Sequence, residues 1–148
     1  MRLLVHCHVI NDGELSVAFN QIVSAYMIQP RSILKVVDNS GAKIVRCFRV
    51  LGGSYKKYAE IGDVIIASVQ VAEPRREIKK KAVVRCIIVR QKKPFRRHDG
   101  TYIKFDENAV VLVNDKMEPL GGRLFGPFPQ EIKNRGYDKV AALVPEFV

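Results

Sequence analysis

Between Ala82 and Asn114 the chain reads AVVRCIIVRQKKPFRRHDGTYIKFDENAVVLVN, and this stretch limits the fold more than any other. Three strand-like runs follow one another in it. Val83, Val84, Ile87, Ile88 and Val89 are β-branched residues, which pack well on a pleated surface. Asp99-Gly100 then supplies a tight turn, because both residue types accept positive φ and glycine does so at no steric cost. Thr101 to Phe105 reads as a short alternating strand. Beyond Asp106-Glu107-Asn108, Ala109 to Val113 is apolar at every position.

The charge of this region points to a partner. From Lys79 to Arg97 there are nine Lys or Arg and no Asp or Glu. An ordinary solvated surface mixes both signs, whereas a run of one sign repels itself unless an anion meets it. Nucleic acid is the better reading. The whole chain carries +10 with a pI of about 9.7. Its first 26 residues hold one Arg against Asp12 and Glu14, a net −1, so Met27 to Val148 carries +11.

With 148 residues, 47% hydrophobic, the chain can bury a real core as one domain. No apolar run approaches the length of a membrane span. Cys7, Cys47 and Cys86 form no CxxC and are too scattered for a disulfide framework, which suits a reducing compartment. Residues 1–26 do not share the later pattern. Their apolar run is interrupted by His6 and His8 and followed by acids, unlike a signal peptide, and they are not Arg-rich like a transit peptide. His6-Cys7-His8 hints at metal, but a strand would face Cys7 away from the histidines and no second ligand cluster exists. We expect no metal site and read 1–26 as an appendage ahead of a start-like Met27.

Along the rest, Ile33 to Val37 is a strand, Asp38-Asn39-Ser40-Gly41 a turn, and Lys43 to Leu51 a second strand bearing Lys43, Arg46 and Arg49. Gly52-Gly53 breaks it before the basic and aromatic loop Ser54 to Tyr58. Ile61-Gly62-Asp63 opens a long strand with apolar odd positions (Ile65, Ala67, Val69, Val71), stopped by Pro74. Arg75 to Lys81 is a basic connection that could form an extended hairpin. After Asn114 the chain turns glycine-rich, then offers short helices at Pro129 to Asn134 and Tyr137 to Val144. Many closely spaced strands and a small helical end predict a mainly β fold. A small barrel is the compact solution, since closure leaves no exposed sheet edge.

Enzyme chemistry is missing. The sequence has no P-loop, GxSxG, HExxH or Rossmann fingerprint. His98 lies beside Asp99 but within a cationic run, and Cys47 and Cys86 lie in apolar strands where a thiol is inert. No nucleophile, base and orienting group come together.

Several segments resemble the large-subunit ribosomal protein fourteen family, in its bacterial and organellar branch. They are DNSGAK (Asp38 to Lys43), VLGGS (Val50 to Ser54), GDV (Gly62 to Val64), RRHDGTYIKFDENAVVLVN (Arg96 to Asn114), FGP (Phe125 to Pro127) and the ending LVPEFV. The similarity runs in order from Met27 to Val148. Cys86 stands where the family usually has Ala or Gly, a change we expect to be tolerated because Cys is also small and apolar. The resemblance implies a five-stranded β-barrel with a protruding β-ribbon and a C-terminal helical lobe from about residue 120, with 27–148 as the family domain. It implies a non-catalytic structural constituent of the large ribosomal subunit, bound to large-subunit rRNA and bridging to small-subunit rRNA. Implied neighbours are large-subunit ribosomal proteins nineteen and three and the ribosomal silencing factor. Arg123 and Lys139 match residues used in docking that factor; Gly122 replaces a frequent Thr and removes a hydroxyl contact. The implied location is the ribosome, in the cytoplasm, or in an organelle matrix or stroma for an organellar chain. No cofactor, membrane or small-molecule substrate is expected.

The residues assigned to RNA are Lys43, Arg46, Arg49, Lys56, Lys57, Tyr58, Arg75, Arg76, Lys79, Lys80, Lys81, Arg90, Lys92, Lys93, Arg96 and Arg97. Their number suggests roughly five to eight phosphate contacts and an affinity that falls steeply with salt. Two other classes compete. A free-standing single-strand binder or RNA chaperone wants a row of aromatics on one sheet face, and only scattered Tyr and Phe are present. An adaptor for an acidic protein would associate independently of RNA.

Overall fold

The computed structural model describes residues 27–148. The readings made for residues 1–26, the His6-Cys7-His8 triplet included, lie outside them. Five strands close a barrel in the order β1-β2-β3-β4-β7: β1 Ile33–Val36, β2 Ala42–Val50, β3 Val64–Ala72, β4 Val83–Arg90 and β7 Ala109–Val113. Neighbours are antiparallel except at the seam, where β1 runs parallel to β7 with Lys35 opposite Ala109 and Val36 opposite Val110.

Two apolar clusters explain why Cys86 to Val89 of β4 and all of β7 are apolar without alternation. Cys86, Ile88, Val110 and Leu112 point into the barrel with Leu34, Val45, Cys47, Ile65, Ala67 and Val69. The intervening Ile87, Val89, Ala109, Val111 and Val113 face the other way, against Leu124, Phe128, Ile132 and Val140 of the C-terminal lobe. From Cys86 to Val89 and from Ala109 to Val113 both faces are therefore buried, and each residue is apolar whichever way it points. Fully burying a side chain such as Ile88 or Phe128 stabilises the fold by about 1.5–3 kcal/mol.

Several elements are shorter than the sequence suggests. Thr101 to Phe105 contributes only β6 (Tyr102–Ile103), paired with β5 (Phe95–Arg96) in a small hairpin beside the barrel. Its tip is the expected turn: Gly100 has φ 81° and donates to the Arg97 carbonyl. The basic connection from Arg75 to Lys81 is a series of turns without strand pairing. Val71, expected inside, is 45% exposed. Register shifts at Ala42, Ile44 and Val45 of β2 break the alternation there. In the lobe, β8 (Pro127–Phe128) pairs parallel with β9 (Glu146–Phe147). Helices α1 (Glu131–Asn134) and α2 (Asp138–Ala141) lie between them. Helix α2 falls short of Val144 because the amides of Leu143 and Val144 bond three residues back, tightening the chain ahead of Pro145.

Candidate nucleic-acid interface

Strand β2 carries the first part of the basic surface. Lys43 is outward before the first register shifts, and beyond them inward Val45 and Cys47 alternate with outward Arg46 until a second irregularity interrupts the pattern. Cys47 lies opposite Ala67 and Arg49 opposite Ile66, so Phe48 is one residue too many. Both Phe48 and Arg49 consequently emerge on the surface. Gly52 and Gly53, at φ 121° and 125°, then turn the chain into the loop that exposes Tyr55, Lys57 and Tyr58.

The second part is the β3–β4 connection. Glu73 anchors its start: its amide bonds the Gly41 carbonyl, and its carboxylate meets Lys43 at 3.4 Å and Arg76 at 3.5 Å. Beyond it Arg75, Lys79, Lys80 and Lys81 are exposed. Lys81 is held at φ 70°, a left-handed conformation that a non-glycine residue rarely adopts, while its amide bonds the Val69 carbonyl.

The third part is the β5–β6 hairpin. The Lys92 amide donates to Asn108 Oδ1 at 2.8 Å, fixing its base, and Arg96 is exposed on β5. An open groove of about 420 Å³ separates the hairpin from α1, lined by Arg96, Arg97, His98, Glu131 and Arg135 among others.

Not every predicted cation faces outward. Arg90 is 8% exposed and does not join the surface set. Its guanidinium donates to the carbonyls of Phe125 and Pro127, the latter at 2.9 Å, and meets Glu107 at 3.1 Å. A register shift between Ile88 and Arg90 turns this side chain toward the lobe. Arg97 grips Glu131 at 2.6 Å and the Val148 carbonyl at 2.6 Å, tying the hairpin to the lobe. Lys56 meets Asp63 at 2.9 Å, and Arg135 meets the same carboxylate at 2.7 Å. Lys43 and Arg76 share Glu73. Of the predicted cations, those left without a partner among the described residues are Arg46, Arg49, Lys57, Arg75, Lys79, Lys80, Lys81, Lys92, Lys93 and Arg96. Sequence reading passed over Arg31, Lys104, Lys116 and Lys133, which are also exposed and unpaired, because none has a basic residue directly beside it.

Two carboxylates organise this surface. Burial alone would raise the pKa of Asp63, but the Glu60 amide, Lys56 and Arg135 outweigh it and hold the carboxyl below its ordinary value. Asp38 is buried and accepts from the amides of Leu112 and Ser40, each at 2.9 Å, which fixes the β1–β2 turn against β7. The thiols offer no nucleophile at neutral pH: burial pushes Cys47 up to about 11 and, with the nearby Asp38 charge, raises Cys86 further. Among the described residues, no three His, Cys, Asp or Glu side chains are grouped to hold a metal ion. No helix among them is long and apolar enough to cross a membrane.

A barrel that spaces unpaired cations suits a scaffold that meets polyanion. The family model for ribosomal protein L14p/L23e matches residues 27–148. The chain belongs to that family. L14p/L23e proteins are non-catalytic structural components of the large ribosomal subunit, so this chain's partners are rRNA and other ribosomal proteins. The matched span includes every part of the basic surface, and both Arg123 and Lys139. Arg123 is exposed and unpaired on the loop before β8, while Lys139 on α2 is ion-paired with Glu118.

Proposed function

We propose that this chain binds large-subunit rRNA through its unpaired cations and contributes to a bridge with small-subunit rRNA. The observation that carries the reading is the division of labour among the basic residues. Arg90, Arg97, Lys56, Lys43 and Arg76 are engaged in internal ion pairs, while the unpaired set, half-buried Lys93 apart, stands exposed on strands, loops and turns. Unpaired side chains contact phosphate without first breaking an internal ion pair, and each contact releases counterions. Residues 27–148 act as one structural unit in this reading, with 1–26 as an extension to it.

The lobe is the proposed protein-facing side. Exposed Arg123 and the Lys139–Glu118 pair offer charge to a docking factor of the silencing type, with ribosomal proteins nineteen and three as further proposed neighbours. Gly122, without a side chain, contributes no hydroxyl there. The bacterial or organellar branch rests in this reading on the segments DNSGAK, VLGGS, GDV, RRHDGTYIKFDENAVVLVN, FGP and LVPEFV taken together, with the ribosome in the cytoplasm, or in an organelle matrix or stroma, as the location.

Sucrose-gradient sedimentation of tagged chain from its native host, at low and high salt, tests the proposal. Co-migration with large subunits and with joined ribosomes is expected. Crosslinks to small-subunit rRNA in joined ribosomes are expected from the unpaired cations. Crosslinks confined to large-subunit rRNA would remove the bridge, and protein at the top of the gradient even at low salt would favour a free-standing RNA binder.

A further inference from the structure

Phe48 is an aromatic residue on the wet face of the barrel. Its ring is 52% exposed, and it belongs to neither apolar cluster. The bulge that makes it the extra residue also brings Arg49 out beside it, and Arg46 stands two positions back on the same face. Positions two apart on a strand lie about 7 Å from one another. One ring is thus bracketed along the strand by two guanidiniums, and neither has a partner among the described residues.

We propose that Phe48 is a stacking platform for one unpaired RNA base, with Arg46 and Arg49 neutralising the phosphates that flank it. This deepens the RNA-binding reading above and rests on it. An aromatic face stacks on any base, whereas a base inside a duplex is already covered on both sides, so the ligand is a splayed or single-stranded nucleotide. A protein covering the same ring would have to desolvate two unpaired guanidiniums, and would need acids of its own placed against both. A single RNA strand brings the flat ring and the charges together. The cation nearest in register on β4, Arg85 opposite Ile66, already meets Asp115 at 3.1 Å and is not required.

The test uses the full chain and two probes, a ten-nucleotide oligoadenylate and a sixteen-base-pair RNA duplex. F48A should weaken oligoadenylate binding about tenfold, or about 1.4 kcal/mol, within the range for one stacked base. It should leave the slope of log K against log salt unchanged, and duplex binding untouched. F48W should restore affinity, while F48L, which keeps apolar bulk without a ring face, should not. R49A should instead reduce the single-strand slope by about 0.7. Thermal melting of F48A close to the parent would show that the fold is intact, as an outward side chain requires.

Equal oligoadenylate affinity in F48A and parent overturns the proposal while leaving the ribosomal role standing. So does rescue by F48L, or an effect of F48A confined to capture of ribosomal proteins, which would make this a protein contact. A parent chain that binds neither probe removes the RNA reading and this proposal together.

Discussion

The guanidinium of Arg90 lies over the Phe128 ring, 5.5 Å from its centroid, where barrel and C-terminal lobe meet. Arg90 ends β4, and Phe128 is fully buried on β8. The contact combines cation–π attraction with hydrogen bonds to the two carbonyls on either side of Gly126. A charged residue is thus one of the polar fastenings between the barrel and the lobe.

Removing that fastening should be costly. Arg90→Ala leaves Glu107 short of a partner and two carbonyls unmet, and should destabilise the fold by about 3 kcal/mol in urea unfolding. Arg90→Lys keeps charge but cannot span both carbonyls and the carboxylate, and should recover less than half of the loss. Gly126→Ala should behave similarly, because its Cβ would collide with the Arg90 guanidinium and its φ of 79° disfavours any side chain. The double variant R90A/G126A should lose less than the two single losses together.

Acid should loosen the same seam from a second point. The Asp63 pKa is depressed in the folded chain, so its contribution is fully present above the ordinary value of 3.8 and is lost as pH falls through the lower folded value. Glu107, held down chiefly by Lys35 and then by Arg90, acts in the same direction from its ordinary 4.5. Urea midpoints between pH 6 and pH 2 should therefore fall steeply at the acid end. D63N should be less stable at pH 6 and should flatten the fall; an unchanged pH profile in D63N would exclude Asp63 as its source.

The strands and the barrel were readable because β-branched residues and glycine turns act locally. Ile87 and Ile88 read as strand whichever core each joins. The role of Arg90 was not readable, since its neighbours Gln91, Lys92 and Lys93 suggest a solvated run, and the bulge that turns it inward depends on Ala109 across the sheet. The only local clue was the acid Glu107 just after the basic stretch. Phe48 was more accessible: in Val45-Arg46-Cys47-Phe48 the alternation itself puts the ring on the arginine side. The shortness of α2 and the pairing of β8 with β9 came from contacts across the lobe, which no window of sequence contains.

The unpaired and paired cations should separate in salt titrations on large-subunit rRNA. Replacing Lys79, Lys80 and Lys81 together by Ala should reduce the salt slope by about 2–3. Lys43→Ala or Lys56→Ala should change it by well under 1, because Glu73 and Asp63 already balance those charges. Equal slopes for the two groups would show that the internal ion pairs open on binding.

The buried thiols should be silent. At pH 8, Cys47 and Cys86 should resist iodoacetamide in the folded chain, as located by peptide mapping, and both should react in urea. Modification of Cys86 under native conditions faster than global unfolding would mean that β4 leaves β7 locally.

The parallel seam between β1 and β7 also has a bearing on synthesis. Strand β1 finds β2 at once, but its other edge waits for Ala109 and Val110, more than seventy residues later in the chain. Until then a nascent chain carries two open edges, and the loop to be closed is the longest in the barrel. By that moment Arg46, Arg49 and the Lys79 to Lys81 run have already been made. The charges proposed to meet RNA therefore emerge before the cylinder that spaces them can shut, and a ribosome making this protein exposes its polycation ahead of its final shape.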